Sequence, residues 1–243
     1  MKRTDPVLTE IRKNHYSIHR KNLVRRAELL RCVRGFFAEG GYLEVETPVR
    51  IPVPLPEAHI EVIAADGWVL QPSPEICMKR LLAAGYEKIF QICKCFRKAE
   101  RGRRHLPEMT MLEWYAVGEN YLDLMTCCEE LVLHIAQGLG AGRTIMYQGR
   151  TIELTPPWER LTVSDAFMRH GSLSMPAALA QGRFDAVMGW RSSRGSGWNG
   201  PCSCMTTRPS TDRSPASNRD IPAWLNASSF ISAVSSCATA SAS

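Results

Sequence analysis

The sequence has 243 residues, of which 44% are hydrophobic and 22% are charged, and its formal net charge is +6. These values are ordinary for a globular protein with one sizeable core, and the charge permits contact with nucleic acid without requiring it. The N-terminus lacks the apolar core of a signal peptide, and no run is long enough to cross a bilayer. We therefore expect a cytoplasmic protein that has no membrane partner.

The nine cysteines occur singly or in close pairs, such as Cys93/Cys95 and Cys127/Cys128. None of these pairs has the spacing of a zinc ribbon or a zinc finger, so we expect no structural metal. Reduced thiols in a cytosolic protein are the expected state.

The apolar pattern predicts helices alternating with strands over the first part of the chain. Residues 1–19 lack periodicity and predict a flexible arm, and a helix from Arg20 follows and ends at Gly40–Gly41. Short strands are predicted over Tyr42–Glu46 and over Trp68–Gln71.

The triplet Ser73-Pro74-Glu75 predicts the start of the next helix, which ends at Gly85. Ser73 can accept a hydrogen bond from an unpaired backbone N–H, and Glu75 falls in the first turn, where an acidic side chain is favourable. On their own, these residues need no explanation beyond a well-formed helix start.

Two β-prone runs, Ile89–Phe96 and Met109–Ala116, flank a cationic loop and predict a hairpin. The basic residues of this loop are Arg97, Lys98, Arg101, Arg103, Arg104 and His105. Because the planar fork of arginine binds phosphate oxygens bidentately, the loop predicts an anion site. The return strand carries Glu113, whose carboxylate must be paired or face a site. A solvated basic loop beside a structural ion pair explains the spacing equally well.

Beyond the hairpin, helices are predicted over Tyr121–Leu139, from Thr162 onward and over Ala177–Met188, with a strand pair or turn over Tyr147–Leu154. The composition then changes abruptly. Residues 190–243 are rich in serine and have no apolar periodicity, which predicts an irregular, disordered tail.

The hairpin segment FRKAERGRRHLPEMTMLEWY, Phe96–Tyr115, resembles motif 2 of the class II aminoacyl-tRNA synthetases. It is similar to lysyl-tRNA synthetase and more so to the short paralogue family of elongation factor P–lysine ligases. Glu46-Thr47-Pro48 resembles motif 1, which implies a homodimer, and Pro54–Val62 also resembles the paralogue. The resemblance covers residues 20–189 and implies an α+β fold, namely part of an antiparallel sheet flanked by helices.

The resemblance implies ATP and magnesium as cofactors and lysine or β-lysine as the substrate. Arg97 is implied to be catalytic and to hold the α-phosphate and the substrate carboxylate. Residues that bind ATP are implied to be Arg97, Lys98, Glu100, Arg104 and His105. Residues that bind the amino acid are implied to be Ser73, Pro74, Glu75, Glu113 and Tyr115.

The chain departs from the family pattern at several places. Leu106 replaces the usual asparagine, and Met109 replaces the usual phenylalanine that stacks on adenine, although a Met sulfur can still contact an aromatic ring. The magnesium carboxylates of the family and its motif 3 have no counterpart, so no metal ligand is retained. We therefore predict little or no adenylation by the chain as written.

The length of the region before motif 1 indicates which acceptor receives the activated amino acid. Fewer residues precede motif 1 than an anticodon-binding domain needs, so we expect a lysine side chain of elongation factor P as the acceptor. Aminoacylation of tRNA is the less favoured alternative. Another amino-acid-activating paralogue and an inactive pseudogene product or dimerising binding module also stay open.

The tail also matches the family when its codons are shifted. When Trp198–Pro209 is back-translated and read in the frame that begins at the third base of each codon, allowed codons spell ERPLFLHDYPA. In the same shifted frame, allowed codons for Ala223–Ser243 spell VAERFELYIGGVELCNGFSE. Because each shifted codon allows few residue types, we predict a frame change near Gly189. Sequencing the gene should show codons compatible with both words, and incompatible codons would exclude the frame change.

Overall fold

The computed structural model describes residues 6–53, 60–102, 105–147, 149–184, 187 and 202–205. These residues fall into two compact units, one within Met1–Asn120 and one within Tyr121–Leu225. Each unit contains helices and short sheets, which confirms the α+β class. Among the described helices, none combines the length and the apolar character that crossing a membrane requires.

Over its described residues, the first unit contains two helices and six strands. They are α1 (Pro6–Glu39), β1 (Leu43–Glu44), β2 (Arg50–Ile51), β3 (Ala64–Ala65), β4 (Trp68–Leu70), α2 (Glu75–Ala83), β5 (Lys88–Phe96) and β6 (Glu108–Ala116). One sheet has the order β1-β5-β6, in which β1 runs parallel to β5 and β6 runs antiparallel to it. The other sheet, β2-β4-β3, is antiparallel. The predicted hairpin is therefore confirmed, and each strand begins one residue earlier than predicted.

Helix α1 begins at Pro6, whereas the sequence pattern begins this helix at Arg20 and predicts a flexible arm over residues 1–19. Proline is well tolerated in the first turn, because its backbone lacks only an N–H that would have no partner there. Once a helix has formed, adding residues costs little compared with nucleation, so a packed segment can extend through residues without a clear apolar stripe.

One face of the β5–β6 hairpin is covered by the C-terminal part of α1. The Phe37 side chain is 0% exposed, and its ring stacks on Phe90 with centroids 4.8 Å apart. It also contacts the Trp114 ring at 5.3 Å, and Trp114 lies directly opposite Phe90 in the strand register. This aromatic cluster fixes which side of the hairpin faces the helix.

The second unit contains three helices and four strands among its described residues. They are α3 (Tyr121–Gly138), β7 (Thr144–Tyr147), β8 (Arg150–Glu153), β9 (Glu159–Thr162), α4 (Val163–His170), α5 (Met175–Ala180) and β10 (Cys202–Met205). Strands β7 and β8 form an antiparallel hairpin. The buried Glu129 of α3 links this helix to β9 and to the residue before it. Its carboxylate pairs with Arg160 at 2.7 Å and accepts from the backbone N–H of Trp158 at 3.2 Å.

Helix α5 differs from the prediction of a helix over Ala177–Met188. Ser174 caps its N-terminus by accepting from the Ala177 N–H, so the helix begins earlier than predicted. It ends at Ala180, and Gly182 follows with φ +61, a conformation that favours glycine and breaks the helix. The prediction followed the apolar composition and missed this break.

Strand β10 falls inside residues 190–243, which the sequence predicts to be an irregular tail. Its four residues pair in parallel with β9, with Cys202 opposite Glu159. These four residues are thus extended, because an available strand edge can be paired through backbone groups without any apolar periodicity. The rest of the predicted tail lies outside the described residues.

Replacing Phe37 with alanine should destabilise the first unit, because it removes the ring that packs on Phe90 and Trp114. The expected loss in the free energy of unfolding is about 3–5 kcal/mol. Urea unfolding followed by circular dichroism measures it. Leu23→Ala on the same helix is the control. Because Leu23 is 65% exposed, truncating its side chain should change the free energy of unfolding only slightly. Equal effects of the two variants would show that the cluster does not anchor α1.

Candidate functional site

The face of the hairpin opposite the Phe37 cluster carries an unusual set of polar and sulfur-containing side chains. In the strand register, Glu113 lies opposite Gln91, and Met111 lies opposite Cys93. Directly opposed residues project to the same face of an antiparallel pair, and successive residues alternate between faces. We call this surface the site face. Its polar and sulfur-containing members are Gln91, Cys93, Cys95, Met109, Met111, Glu113 and Tyr115, and Ile89 projects to the same face.

The Glu113 carboxylate is held by two hydroxyl groups. Ser73 donates to its Oε2 at 2.8 Å, and the Tyr115 hydroxyl donates to its Oε1. Burial raises the pKa of Glu113, and the negative charge of Glu75 adds to this effect, whereas the two hydroxyl donors and the Lys79 ammonium oppose it. Glu113 is therefore a desolvated carboxylate with a fixed orientation.

The loop before α2 connects the helix start to Glu113. The Ser73 hydroxyl accepts from the Glu75 N–H at 3.1 Å while it donates to Glu113. The predicted helix start is confirmed, but the N-cap residue is Pro74, one position after the predicted cap. The Glu75 carboxylate pairs with Lys79 one turn further along the helix.

Arg97 lies at the end of β5, beside the same loop. Its Nε donates to the Pro72 carbonyl at 3.4 Å, and its terminal nitrogen lies 3.5 Å from the Glu100 carboxylate. The Arg97 side chain is 18% exposed. Both contacts are long for hydrogen bonds, so shorter bonds to a phosphate could replace them. Since Pro72 precedes Ser73, the loop brings Arg97 and Glu113 to one region of the unit.

Three more residues of the predicted ATP set, Lys98, Glu100 and His105, lie on the loop between β5 and β6 and not on the site face. Lys98 is exposed, and its ammonium lies 3.6 Å from the Glu61 carboxylate. His105 is exposed, and its carbonyl accepts from the Gly102 N–H at 3.1 Å. Arg104 lies outside the described residues.

Sequence reasoning assigned no role to two glutamines that lie beside the site. Gln91 is 1% exposed and faces Glu113 across the strands, and Gln71 is 0% exposed and donates to the Lys94 carbonyl at 3.0 Å. The sequence does contain a signal for Gln91, because it is a polar residue within the apolar run of β5. Both amides lie close to Cys93, so they extend the polar surface next to Glu113.

The thiols of Cys93 and Cys95 lie next to these amides, with their sulfur atoms 3.7 Å apart. The contact with Cys95 lowers the pKa of Cys93, whereas the same contact and burial raise the pKa of Cys95. From the sequence, these two cysteines were expected only to be reduced thiols. In the structure they form part of the site face.

A magnesium ion is implied by the resemblance, and its fit depends on the oxygen ligands that this chain offers. Magnesium requires carboxylate, water and phosphate oxygens in an octahedron. No group of three or more His, Cys, Asp or Glu side chains suited to a metal occurs within the described part of the chain. Glu113 is already bound by two hydroxyls, and Glu75 is paired with Lys79. The described residues therefore do not fit magnesium.

Curated proteins similar to this chain carry the name lysine–tRNA ligase. The protein from Thiobacillus denitrificans is 37% identical over 156 residues, which is 62% of this chain and 31% of that protein. The protein from Campylobacter jejuni subsp. doylei is 35% identical over 161 residues, which is 63% of this chain and 32% of that protein. The protein from Paraburkholderia phymatum is 35% identical over 170 residues, which is 68% of this chain and 33% of that protein.

The aligned region thus spans about a third of the length of these relatives. At the level of families, the description that matches is tRNA synthetases class II (D, K and N), and the match covers residues 8–219. This range includes the hairpin, the loop before α2 and every described member of the site face. The chain therefore belongs to the class II tRNA synthetases of the D, K and N group.

Proposed function

We propose that the site face and Arg97 bind a lysine-type amino acid and ATP, and that the frame-corrected protein joins them as an aminoacyl-adenylate, a reaction for which the chain as written has little or no activity. One observation carries the proposal. The buried Glu113 carboxylate is oriented by Ser73 and Tyr115, and the loop that supplies Ser73 also contacts Arg97 through Pro72. This arrangement supports a site for an ammonium group near a site for a phosphate.

In this proposal, Glu113 binds the side-chain ammonium of lysine or β-lysine. A carboxylate at low dielectric attracts a cation strongly, and the two hydroxyl donors hold it in place without neutralising it. The Glu75 carboxylate adds a second negative charge, because it is close enough to influence the Glu113 pKa. The name lysine–tRNA ligase of the similar proteins supports a diamino acid as the substrate.

The chemical step is the attack of the amino-acid carboxylate oxygen on the α-phosphorus of ATP, with pyrophosphate as the leaving group. Such reactions are accelerated mainly by positioning and by neutralising the developing negative charge. Arg97 is suited to both tasks, because its fork can bind the α-phosphate and the attacking carboxylate. Class II synthetases in general use ATP and magnesium, and no step is assigned here to the metal.

The acceptor in this proposal is a lysine side chain of elongation factor P, which follows from the resemblance of motif 2 and Pro54–Val62 to the elongation factor P–lysine ligases. Aminoacylation of tRNA is the second candidate, because the similar proteins are named lysine–tRNA ligases. The cytoplasm is the proposed compartment for either reaction.

The proposal includes a homodimer formed through the segment that resembles motif 1, Glu46-Thr47-Pro48. Leu43 and Val49 flank this segment and are 51% and 40% exposed. Exposed apolar side chains next to the segment suit the surface of a subunit interface.

Glu113→Gln should weaken lysine binding by roughly 10- to 100-fold, because the variant keeps the shape but removes the charge that attracts the ammonium. Isothermal titration calorimetry with lysine measures the change. Norleucine, which lacks the side-chain ammonium, should bind both proteins equally weakly.

The matched control for this variant is Glu108→Gln. Glu108 lies on the same strand, projects to the opposite face and pairs with Lys94 at 2.8 Å. Lysine binding should be unchanged in this control. If Glu113→Gln and Glu108→Gln bind lysine alike, Glu113 is not the ammonium site.

The acceptor is tested by incubating labelled lysine and ATP with purified elongation factor P in one reaction and with tRNA in another. The protein should come from a gene in which the predicted frame change near Gly189 has been corrected. Label on elongation factor P alone is the expected result. Label on tRNA alone would favour the second candidate, and label on neither would contradict both acceptors.

A further inference from the structure

Three sulfur atoms meet on the site face. The Sγ atoms of Cys93 and Cys95 lie 3.7 Å apart, and the Cys95 Sγ lies 3.9 Å from the Met111 Sδ. Met111 is directly opposite Cys93 in the strand register, so the three side chains project from the same face of the hairpin. Cys95 and Met111 are 0% exposed, whereas Cys93 is partly exposed and offers a way in from solvent.

The spacing of these sulfur atoms suits a single metal ion. Metal–sulfur bonds to cysteine are about 2.3 Å long, so three sulfur ligands in a plane around one ion lie about 4 Å from one another. The separations of the Cys93–Cys95 and Cys95–Met111 sulfur atoms, 3.7 and 3.9 Å, are close to this value. An ion could therefore be bound with small side-chain adjustments and without moving the strands.

A disulfide between the two cysteines is a poorer explanation of their approach. Cys93 and Cys95 are two positions apart on the same strand, so their backbones are about 7 Å apart and their side chains are nearly parallel. A disulfide needs Cβ atoms about 4 Å apart, and forming one here would distort β5.

The types of ligand select among the metals. Thiolate and thioether sulfur are soft donors, which favour cuprous copper. Zinc is bound by cysteine, histidine and carboxylate groups and requires four ligands, and a methionine sulfur is not among its usual ligands. We propose that Cys93, Cys95 and Met111 form a binding site for one Cu(I) ion.

Copper binding exchanges the protons of the two thiols for one metal ion. One Cu(I) ion replaces the protons of the two thiols, which leave to solvent, and the Met111 thioether donates a lone pair without losing a proton. No electron is transferred, and the bound site carries one negative charge in total. Copper binding requires neither ATP nor lysine. If the protein does not bind copper at this site, the proposed adenylation is therefore unaffected.

The test is an anaerobic titration of the reduced, full-length protein with Cu(I), in competition with the chromophoric chelator bicinchoninate. The wild-type protein should show one site that is tighter than the sites formed by its remaining cysteines. Cys93→Ser and Cys95→Ala should each weaken the tightest site by at least roughly 100-fold, because each leaves only one thiolate. Met111→Leu should weaken it by about 10-fold.

Controls separate this site from unspecific binding to thiols. Cys32→Ser and Met125→Leu remove the same kinds of side chain elsewhere, and the affinity of the tightest site should stay within about threefold of wild type. Met111→Leu conserves volume, so it should preserve the fold, which circular dichroism checks. Unchanged tight binding in Cys93→Ser or in Met111→Leu would overturn the proposal.

X-ray absorption at the copper edge provides a readout that does not depend on affinity. The wild-type protein with one equivalent of Cu(I) should show three sulfur neighbours at about 2.3 Å. Met111→Leu should show two. A two-sulfur environment in the wild-type protein would exclude Met111 as a ligand and overturn the three-sulfur site.

Discussion

The register between β5 and β6 is the constraint on which the site depends. The pairing of Phe90 with Trp114 places two aromatic rings on the face that Phe37 covers. By alternation, the same pairing places Gln91 opposite Glu113 and Cys93 opposite Met111 on the other face. The packing that stabilises the first unit and the chemistry of the site are therefore two results of a single alignment of strands.

The site also depends on a loop that is distant in sequence. Ser73 bonds to Glu113, and Pro72 accepts from Arg97, so two consecutive residues contact both ends of the site. Gln71, the residue before them, accepts from the Phe96 N–H through its backbone carbonyl at 2.9 Å. The loop is thereby fixed to β5, so Glu113 and Arg97 are held at a defined separation.

The sequence predicts the features whose signals are local. The hairpin follows from alternation, and the start of α2 follows from Ser73-Pro74-Glu75. The helix expected from Thr162 onward is α4, and in the structure Thr162 caps it by accepting from the Asp165 N–H. The start of α1 at Pro6 was missed because a helix can extend from a packed segment into residues without an apolar stripe. The contacts of Ser73, Arg97 and the sulfur atoms are set by tertiary packing, which no periodicity encodes.

The alternation along β5 has a consequence for the variation that this protein can accept. Adding or removing one residue within a strand would exchange the two faces, placing Glu113 against α1 and the aromatic rings in the site. The segment between Phe96 and Glu108 has no such restriction, since its described residues lie outside the paired ladder. Natural insertions and deletions should therefore occur in this turn and be rare in the strands, because only in the strands would they exchange the face that packs on α1 with the site face.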